Sequence, residues 1–399
     1  MKFNSLNIIS KNLSFFVLAF SSLSFFVLNV VLKDNLSSID YGLFSIFITY
    51  ISLLSSFGMF GFEQTLLRTT LIKNKLEIQK NILYPSLIAI CMSSCIGVFF
   101  MKSNYSINIS YVLFLLLSVF VTVNKLSFNL YRLLSNFFLA QLVLNFWKIA
   151  LTIVILYYIL LSNNFSLEFI FSLVLVFLAF SILSLFGLNN KIQFIKQNSF
   201  STLLRKSFLF FISLLTISLL GFGDRFFIES RFGLEILGNY FFFLNIFLFP
   251  FSLFQTYIGF KEIISFKKKF SIGLLNHKIF KVLKSSFIFS LMLIFVFYLI
   301  DYFGLYNLEI SSNLNIIIPL IILGNIKMVY SLLSSATGAL CNDQMLYKIN
   351  LKSILSLMLI CPAIFFFSNT LLITILFVIT LWLIRCIIWY VELTKINQL

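Results

Sequence analysis

The sequence predicts an all-α integral membrane protein with about twelve transmembrane helices. Hydrophobic residues make up 60% of the 399-residue chain and charged residues 11%, whereas soluble domains carry about 25% charged residues. The mean hydropathy is +1.05. Apolar segments of roughly 20 residues, the length that crosses a bilayer, recur between short polar connections. Lipid is therefore the expected solvent for most of the surface.

Each apolar segment is long enough to predict one membrane-spanning helix. The predicted helices cover residues 12–32, 42–64, 82–101, 110–128, 138–161, 167–188, 207–228, 236–260, 285–304, 314–335, 351–368 and 370–391. The first segment is too long for the apolar region of a signal peptide and lacks a small-residue cleavage site. We therefore expect it to be retained as the first helix.

The distribution of basic residues predicts the orientation. If the N-terminus is cytoplasmic, most of the 29 basic residues fall in cytoplasmic segments, and Lys33, Lys102, Arg225 and Arg231 fall outside. This asymmetry is typical of the positive-inside rule and predicts that both termini are cytoplasmic. Because the basic residues are dispersed between apolar segments, the formal charge of +16 does not indicate a nucleic-acid partner.

The polar stretch 189–206 divides the predicted helices into six and six. We expect an N-terminal lobe at 1–198 and a C-terminal lobe at 199–399. Residues 38–44 and 234–240 are similar: in both, a short turn carries an acid and a glycine opens the next helix two residues before an aromatic. Parallel repeats of this kind predict two lobes related by a pseudo-two-fold axis along the membrane normal.

Charged residues within apolar helices are the first candidates for function, because a charge in hydrocarbon is costly and usually faces a cavity or a partner. In the fifth predicted helix Gln141, Asn145, Lys148 and Thr152 share one face. We expect this stripe to line a polar pathway that binds an anionic group. The alternative is a lysine that is paired with a carboxylate or solvated by neighbouring amides.

Two further cations lie in later helices. Lys327 shares a face with Ser331 and Ser334, and it either lines a cavity or snorkels to the cytoplasmic surface. Arg385 lies closer to the cytoplasmic end of its helix, and we expect it to snorkel.

Two carboxylates are candidates for ion coupling. Glu63 is expected on the stripe of Ser45, Thr49 and Ser52 in the second helix, and Asp224 lies at the end of the seventh. Either acid could take up a proton and couple it to movement. The alternative for Asp224 is simple neutralisation by the adjacent Arg225.

The eighth predicted helix carries Asn245 and Gln255 around Pro250. This pattern indicates either a bent helix beside a polar cavity or a packing kink. The five cysteines and His277 do not have the spacing of zinc ligands, so no metal site is expected. The sequence also implies no soluble cofactor.

Two motifs resemble a known family. Asp224-Arg225-Phe226-Phe227-Ile228 followed by the segment 233–240, and Asp40-Tyr41-Gly42-Leu43-Phe44 followed by Phe57-Gly58, Glu63 and Arg68, are similar to segments of polysaccharide and O-antigen flippases. These flippases belong to the multidrug/oligosaccharidyl-lipid/polysaccharide exporter (MOP) superfamily. Helix number, charge topology and the six-plus-six division resemble that family along nearly the whole chain.

The resemblance implies a non-enzymatic flippase in the bacterial inner membrane. Its substrate would be an undecaprenyl-pyrophosphate-linked oligosaccharide, moved from the cytoplasmic to the outer leaflet by alternating access. The sequence leaves open whether protons or sodium ions are coupled to this movement. Membrane lipids, a polymerase and other polysaccharide-assembly proteins would be its partners. The residues that would line its cavity are Lys148, Asn145, Gln141, Lys327, Gln255, Asn245 and Arg225, and those that would couple an ion are Asp224 and Glu63.

Two alternatives remain at this point. A membrane polysaccharide polymerase or ligase would have a similar helix number, but it would carry a long extracytoplasmic loop with catalytic Arg or His residues. Here the predicted outer loops are short and His277 is predicted to be cytoplasmic. A drug/cation antiporter of the same superfamily would require an acidic site deep in the membrane, where this sequence has few carboxylates.

Overall fold

The computed structural model describes residues 2–72, 75–105, 110–161, 168–195, 200–304, 306, 308–340 and 342–396. Helices dominate it. The first half contains α1 (Lys2–Asn35), α2 (Ser38–Phe57), α3 (Phe62–Thr69), α4 (Lys80–Asn104), α5 (Tyr111–Leu133), α6 (Phe137–Leu161) and α7 (Glu168–Leu188). The second contains α8 (Phe200–Phe243), α9 (Phe249–Lys268), α10 (Ile272–Tyr302), α11 (Leu314–Leu340), α12 (Asp343–Phe367) and α13 (Leu371–Ile396).

The helices confirm the predicted fold class. Among the described residues, ten runs are long and apolar enough to cross a membrane, and one of them extends over Phe200–Lys268. Gly233, with φ 86° and ψ 171°, divides that run into two helices. With both parts and the shorter apolar helix Ser172–Leu188, every predicted segment corresponds to a helix, although residue 167 of the sixth segment lies outside the described residues. The protein is an all-α, multi-pass membrane protein.

The chain forms two compact units. One contains Met1–Ser37 and Phe44–Ser218, and the other contains Ser38–Leu43 and Leu219–Leu399. The boundary that the sequence predicts between residues 198 and 199 falls outside the described residues, so the division into two lobes there stays a prediction.

In the first unit α5 packs against α4, α6 and α7, and α1 packs against α6. A polar seam joins α5 to α7: Ser181 Oγ donates to Asn124 Oδ1 at 2.7 Å, and Ser184 Oγ donates to Ser127 Oγ at 2.9 Å. Hydrogen bonds of this kind help helices to associate within a membrane. Apolar contacts alone favour association less there than in water, because lipid tails are as apolar as the helix surfaces.

The sequence did not predict the small sheet that connects distant parts of this unit. β1 (Leu71–Ile72) pairs antiparallel with β2 (Leu76–Gln79), and β2 pairs parallel with β3 (Ile192–Ile195). Leu76 and Ile78 are fully buried in the cluster that also contains the ends of α3 and α4. The sheet therefore ties the segment after α7 to the α3–α4 connection.

The predicted second helix, residues 42–64, is wrong at its end. α2 stops at Phe57, and a turn through Phe60 (φ 48°) and Gly61 (φ 80°) leads into the separate helix α3. A side chain at Gly61 would meet Ser207 O at 2.2 Å, so this position requires glycine for space as well as for φ. Glu63 consequently belongs to α3 and not to the hydroxyl stripe of α2.

In the second unit α11 is the central helix and contacts α9, α10 and α13. Ser331 Oγ donates to Gln255 O at 2.7 Å, and Ser335 Oγ donates to Gly259 O at 3.2 Å, which joins α11 to α9. The first turn of α2 also belongs to this unit. A side chain at Gly42 would meet Leu234 O at 2.2 Å, and one at Gly238 would meet Ser38 O at 2.6 Å. The two similar segments that the sequence revealed therefore pack directly against each other.

We expect Gly42→Ala to destabilise the protein because the atom it would meet is backbone, which cannot rotate away. Overpacking of this kind costs roughly 1–3 kcal/mol. The measurement is thermal unfolding of the full chain in detergent. Gly221→Ala in α8 is the matched control, since a Cβ there meets nothing within 4 Å and alanine favours a helix. Equal melting temperatures for the two variants would contradict the close approach.

Candidate functional site

The polar stripe of α6 is built as one hydrogen-bonded chain. Asn145 Nδ2 donates to Gln141 Oε1 at 2.8 Å, and Lys148 Nζ donates to Asn145 Oδ1 at 3.2 Å. Thr152 continues the stripe and donates to Ser24 O of α1 at 3.1 Å. The helical period places these residues on one face, and their hydrogen bonds hold the amide of Asn145 with its oxygen towards the ammonium group.

No carboxylate oxygen lies within 4.0 Å of Lys148 Nζ among the described residues. The amine lies 5.9 Å from the centre of the Trp147 ring, and Asn145 is 3% exposed. A lysine inside a membrane helix usually has a partner or lines a polar cavity. The amide chain solvates this cation but does not neutralise it.

The second unit holds a charged cluster within α8, before the break at Gly233. Tyr240 OH donates to Asp224 Oδ2 at 2.5 Å, and the backbone N–H of Arg225 donates to Asp224 Oδ1 at 3.0 Å. Both charged side chains are buried. The Arg225 guanidinium lies over the rings of Phe222 and Phe241, at 5.1 and 5.2 Å. Aromatic faces stabilise a cation that has left water.

Lys327 belongs to the same electrostatic cluster. Its Nζ lies 4.9 Å from the centre of the Trp382 ring, and the charges of Asp224 and Arg225 act on it. Trp382 in turn donates from Nε1 to Leu220 O of α8 at 3.1 Å. Aromatic packing therefore links α11, α13 and α8 around these charges. Among the described residues, this cluster has two cations and one carboxylate.

The prediction that Arg385 snorkels to the surface is wrong, because its side chain is only 2% exposed. Arg385 Nε donates to Tyr330 OH at 3.2 Å, and its guanidinium lies 5.3 Å from the Trp389 ring. Trp382 and Trp389 lie three residues before and four residues after Arg385, on one helical face. That aromatic spacing was the signal in the sequence, but the Tyr330 partner comes from another helix.

The two amide candidates of the predicted eighth helix have different surroundings. Asn245 lies in a π-helical stretch, Leu244–Leu248, just before Pro250, which cannot supply a backbone N–H. Its side chain is buried, donates to Phe241 O at 2.8 Å, and is hydrogen-bonded to Tyr41. For Gln255, the hydrogen bond that the structure shows is to its backbone oxygen, and it serves helix packing.

Glu63 lies in an apolar setting at the start of α3, an eight-residue helix outside the membrane-spanning segments. The side chain is 3% exposed, and neither carboxylate oxygen has a hydrogen-bond partner. Burial raises the pKa of Glu63 to about 7, against smaller opposing effects of nearby backbone N–H groups and of the Lys125 charge on α5. The carboxyl group can therefore bind or release a proton near neutral pH.

The structure brings together only part of the predicted set. Gln141, Asn145 and Lys148 form one group in the first unit; Asp224, Arg225 and Lys327 form another in the second. Asn245 adjoins the second group through Phe241. In the part of the chain that the structure describes, Gln255 has no hydrogen bond to that group. Tyr240, Tyr41 and Lys125 were missed as parts of these sites. Tyr240 meets Asp224 across the break at Gly233, and the partners of Tyr41 and Lys125 lie on other helical elements.

Comparisons with known proteins identify the fold. No family model and no curated protein sequence matches the chain. The structure is similar to a solved structure described as the outward-facing conformation of a multidrug resistance MATE family transporter of the MOP superfamily. The TM-score is 0.62 at 12% sequence identity, and the match covers 98% of this chain and 94% of that one. The protein thus has the fold of a MOP-superfamily transporter.

We expect the raised pKa of Glu63 to make stability depend on pH. The folded protein disfavours the ionised carboxylate, so stability is highest below the reference pKa of 4.5 and falls as pH rises through about 7. A shift of this size corresponds to roughly 3 kcal/mol. Melting temperatures measured from pH 4.5 to 8 should show the decline in the wild type and a smaller one in Glu63→Gln.

Glu235→Gln is the control for that measurement because it removes an exposed carboxylate. Its profile should follow the wild type. If Glu63→Gln keeps the full decline, the burial of an ionisable Glu63 is not its cause.

Proposed function

We propose that the protein is a flippase that moves a lipid-linked oligosaccharide with an anionic pyrophosphate across the bacterial inner membrane by alternating access. The observation that carries this proposal is Lys148, a cation in a membrane-spanning helix with an amide partner and no carboxylate within 4.0 Å among the described residues. An anionic head group would supply the missing negative charge. The MOP transporter fold supports the class of activity.

The chemistry of the stripe suits such a substrate. Charge-assisted hydrogen bonds to phosphate oxygens are stronger than neutral ones, and a lysine acts on phosphate as a compact charge with three donors. Gln141, Asn145 and Thr152 supply amides and a hydroxyl beside it, the groups that replace water around sugar hydroxyls. Lys327 and Arg225 add a second cationic region whose local charge exceeds that of Asp224.

A drug/cation antiporter is the second candidate. The multidrug resistance transporter of similar fold supports it, as does the position of Asp224 beside an apolar cavity. Both oxygens of Asp224 already accept hydrogen bonds, from Tyr240 and from the Arg225 backbone, and Arg225 adjoins it. These features favour an anionic over a cationic substrate, and transport of tetraphenylphosphonium would reverse that order.

We expect Lys148→Ala to abolish most flipping at normal protein level, because it removes the charge that would bind pyrophosphate. The assay is outer-leaflet appearance of a fluorescent undecaprenyl-pyrophosphate oligosaccharide in proteoliposomes. Charge-assisted hydrogen bonds contribute about 1.5–3 kcal/mol, which corresponds to a loss of roughly tenfold to a hundredfold. Lys148→Arg should retain part of the activity.

Lys284→Ala is the matched control, since it removes an exposed lysine from α10. Full transport by Lys148→Ala would exclude this lysine as the head-group site. Absence of flipping by folded wild type, supplied with its native glycan, would instead favour the antiporter, or the polymerase or ligase.

We further propose that Glu63 couples transport to protons, with Asp224 as the second candidate. An imposed pH gradient should accelerate flipping by the wild type, because protonation near pH 7 removes a buried charge at the start of α3. Glu63→Gln should flip at a rate that no longer depends on the gradient, and Asp224→Asn should remain gradient-dependent. If instead Asp224→Asn loses the dependence on the gradient and Glu63→Gln keeps it, Asp224 is the coupling residue. If the wild type and both variants depend equally on the gradient, neither acid couples transport to protons.

A further inference from the structure

The second unit contains a cavity of about 360 Å³ between α8, α12 and α13. Its walls are almost entirely apolar. From α8 they include Leu219, Gly223 and Phe227, and from α12 they include Cys361 and Phe365. Asp224 is the only charged residue among those that line it. We call this cavity the α8–α12 groove.

The groove opens at the surface of membrane-spanning helices. Leu219 and Phe365 form part of its rim and are 50% and 63% exposed. Phe227 and Phe365 meet edge to face at 5.0 Å across it. Large apolar side chains exposed on spanning helices belong in hydrocarbon, so the groove is accessible to a chain that lies in the bilayer.

Glycine makes the space in this groove. A Cβ at Gly223 would meet no atom within 4 Å. At this position no side chain covers the backbone of α8, which therefore forms part of the groove wall. The carboxylate of Asp224 already accepts from Tyr240 and from the Arg225 backbone. The groove therefore provides space and apolar contacts for a ligand. Its carboxylate is already hydrogen-bonded within the protein and does not provide a site for a head group.

The cations lie beside the groove. Leu220 and Leu381 line it, and Trp382, the residue after Leu381, donates to Leu220 O. Lys327 lies over the ring of that tryptophan, and Arg225 follows Asp224 along α8. An apolar groove with a neighbouring excess of positive charge is complementary to an amphiphile with a hydrocarbon tail and an anionic head.

We propose that the α8–α12 groove binds the polyprenyl chain of the transported lipid beside the second cationic region, Lys327 and Arg225, which acts on the anionic head group in addition to Lys148. This inference rests on the proposed function and adds a tail site to it. The chain then does not remain wholly in the bulk bilayer during transport. Part of it is held by the protein, and the groove contributes to the selection of lipid-linked substrates.

The test is binding of undecaprenyl pyrophosphate to the full chain in detergent, measured by native mass spectrometry. Gly223→Leu places a side chain in the groove and reduces its volume. The Cβ of that leucine meets no atom within 4 Å, so the substitution does not clash with the backbone nearby. It should weaken binding by about tenfold, the effect of excluding a few methylene-sized groups from burial. Gly221→Leu is the matched control, because it adds the same side chain to open space on α8 outside the groove and should bind like wild type.

Two further probes identify the occupant. Geranyl pyrophosphate, with a short chain, should bind weakly and lose little in Gly223→Leu, whereas phosphatidylglycerol should bind equally to both variants. Equal binding of undecaprenyl pyrophosphate to both variants would overturn the tail site. A loss of phosphatidylglycerol binding as large as that of undecaprenyl pyrophosphate would assign the groove to membrane acyl chains and overturn the polyprenyl assignment.

Cys361 provides an independent readout within the groove. Undecaprenyl pyrophosphate should slow its alkylation by N-ethylmaleimide and leave the exposed Cys91 unaffected; no protection would count against the proposal. Failure of the tail site is distinguishable from failure of the proposed function. If Gly223→Leu flips the lipid-linked glycan at the wild-type rate, the flippase stands and the groove is excluded. If wild type binds the chain with Cys361 protected but never flips it, the flippase fails.

Discussion

Hydrocarbon cannot hydrogen-bond, and this constraint decides how every polar group within the spanning segments is arranged. Backbone groups are satisfied inside the helices, and many side-chain hydroxyls bond to their own helix, as Thr49 does to Ser45 O and Ser52 to Ile48 O. Hydroxyls that leave their own helix join it to another, as Ser331 joins α11 to α9. Charged residues cost more to place in hydrocarbon than hydroxyls, so the groups that surround them are informative about function.

The cations in the spanning helices are stabilised in three different ways. Lys148 uses an amide, Arg225 and Arg385 use aromatic faces, and Lys327 combines a tryptophan ring with the nearby Asp224 and Arg225. Amides and aromatic rings lower the cost of a buried cation without cancelling its charge. Apolar residues in place of these buried cations would often give equal or greater stability. The positive charge that remains is the observation on which the proposed anionic substrate rests.

The helices were predictable because their signal is local. An apolar run of about 20 residues predicts a span wherever its neighbours lie, and the turn between the seventh and eighth predicted helices corresponds to Gly233. The sheet was not predictable, since strands of two to four residues give too short a pattern and Leu76 pairs with Ile192, far along the chain. The end of α2 was missed because Gly58 and Gly61 were not recognised as the turn.

The sites divide in the same way. Lys148 with Asn145 and Gln141 is a contact within one helix, so residue spacing alone predicted it. Arg385 with Tyr330, and Glu63 near Lys125, depend on pairs of helices whose packing the sequence does not state. Distance from the end of the helix suggested snorkelling for Arg385, but an aromatic partner on another helix determined its position. Errors of this kind concentrate where tertiary contacts override local rules.

The two acids show why burial alone does not assign a role. Asp224 and Glu63 are both buried, but Asp224 accepts hydrogen bonds at both oxygens and lies near two cations, whereas both oxygens of Glu63 are buried without a hydrogen-bond partner. The donors around Asp224 fix the position of its carboxyl group beside Tyr240. A carboxyl group without donors is most stable when protonated, and its ionisation must be accompanied by local rearrangement or by water entry. Glu63 is for that reason the first candidate for the proposed proton coupling, whereas the hydrogen bonds that Asp224 accepts from Tyr240 and from the Arg225 backbone hold the interior of α8 beside the groove.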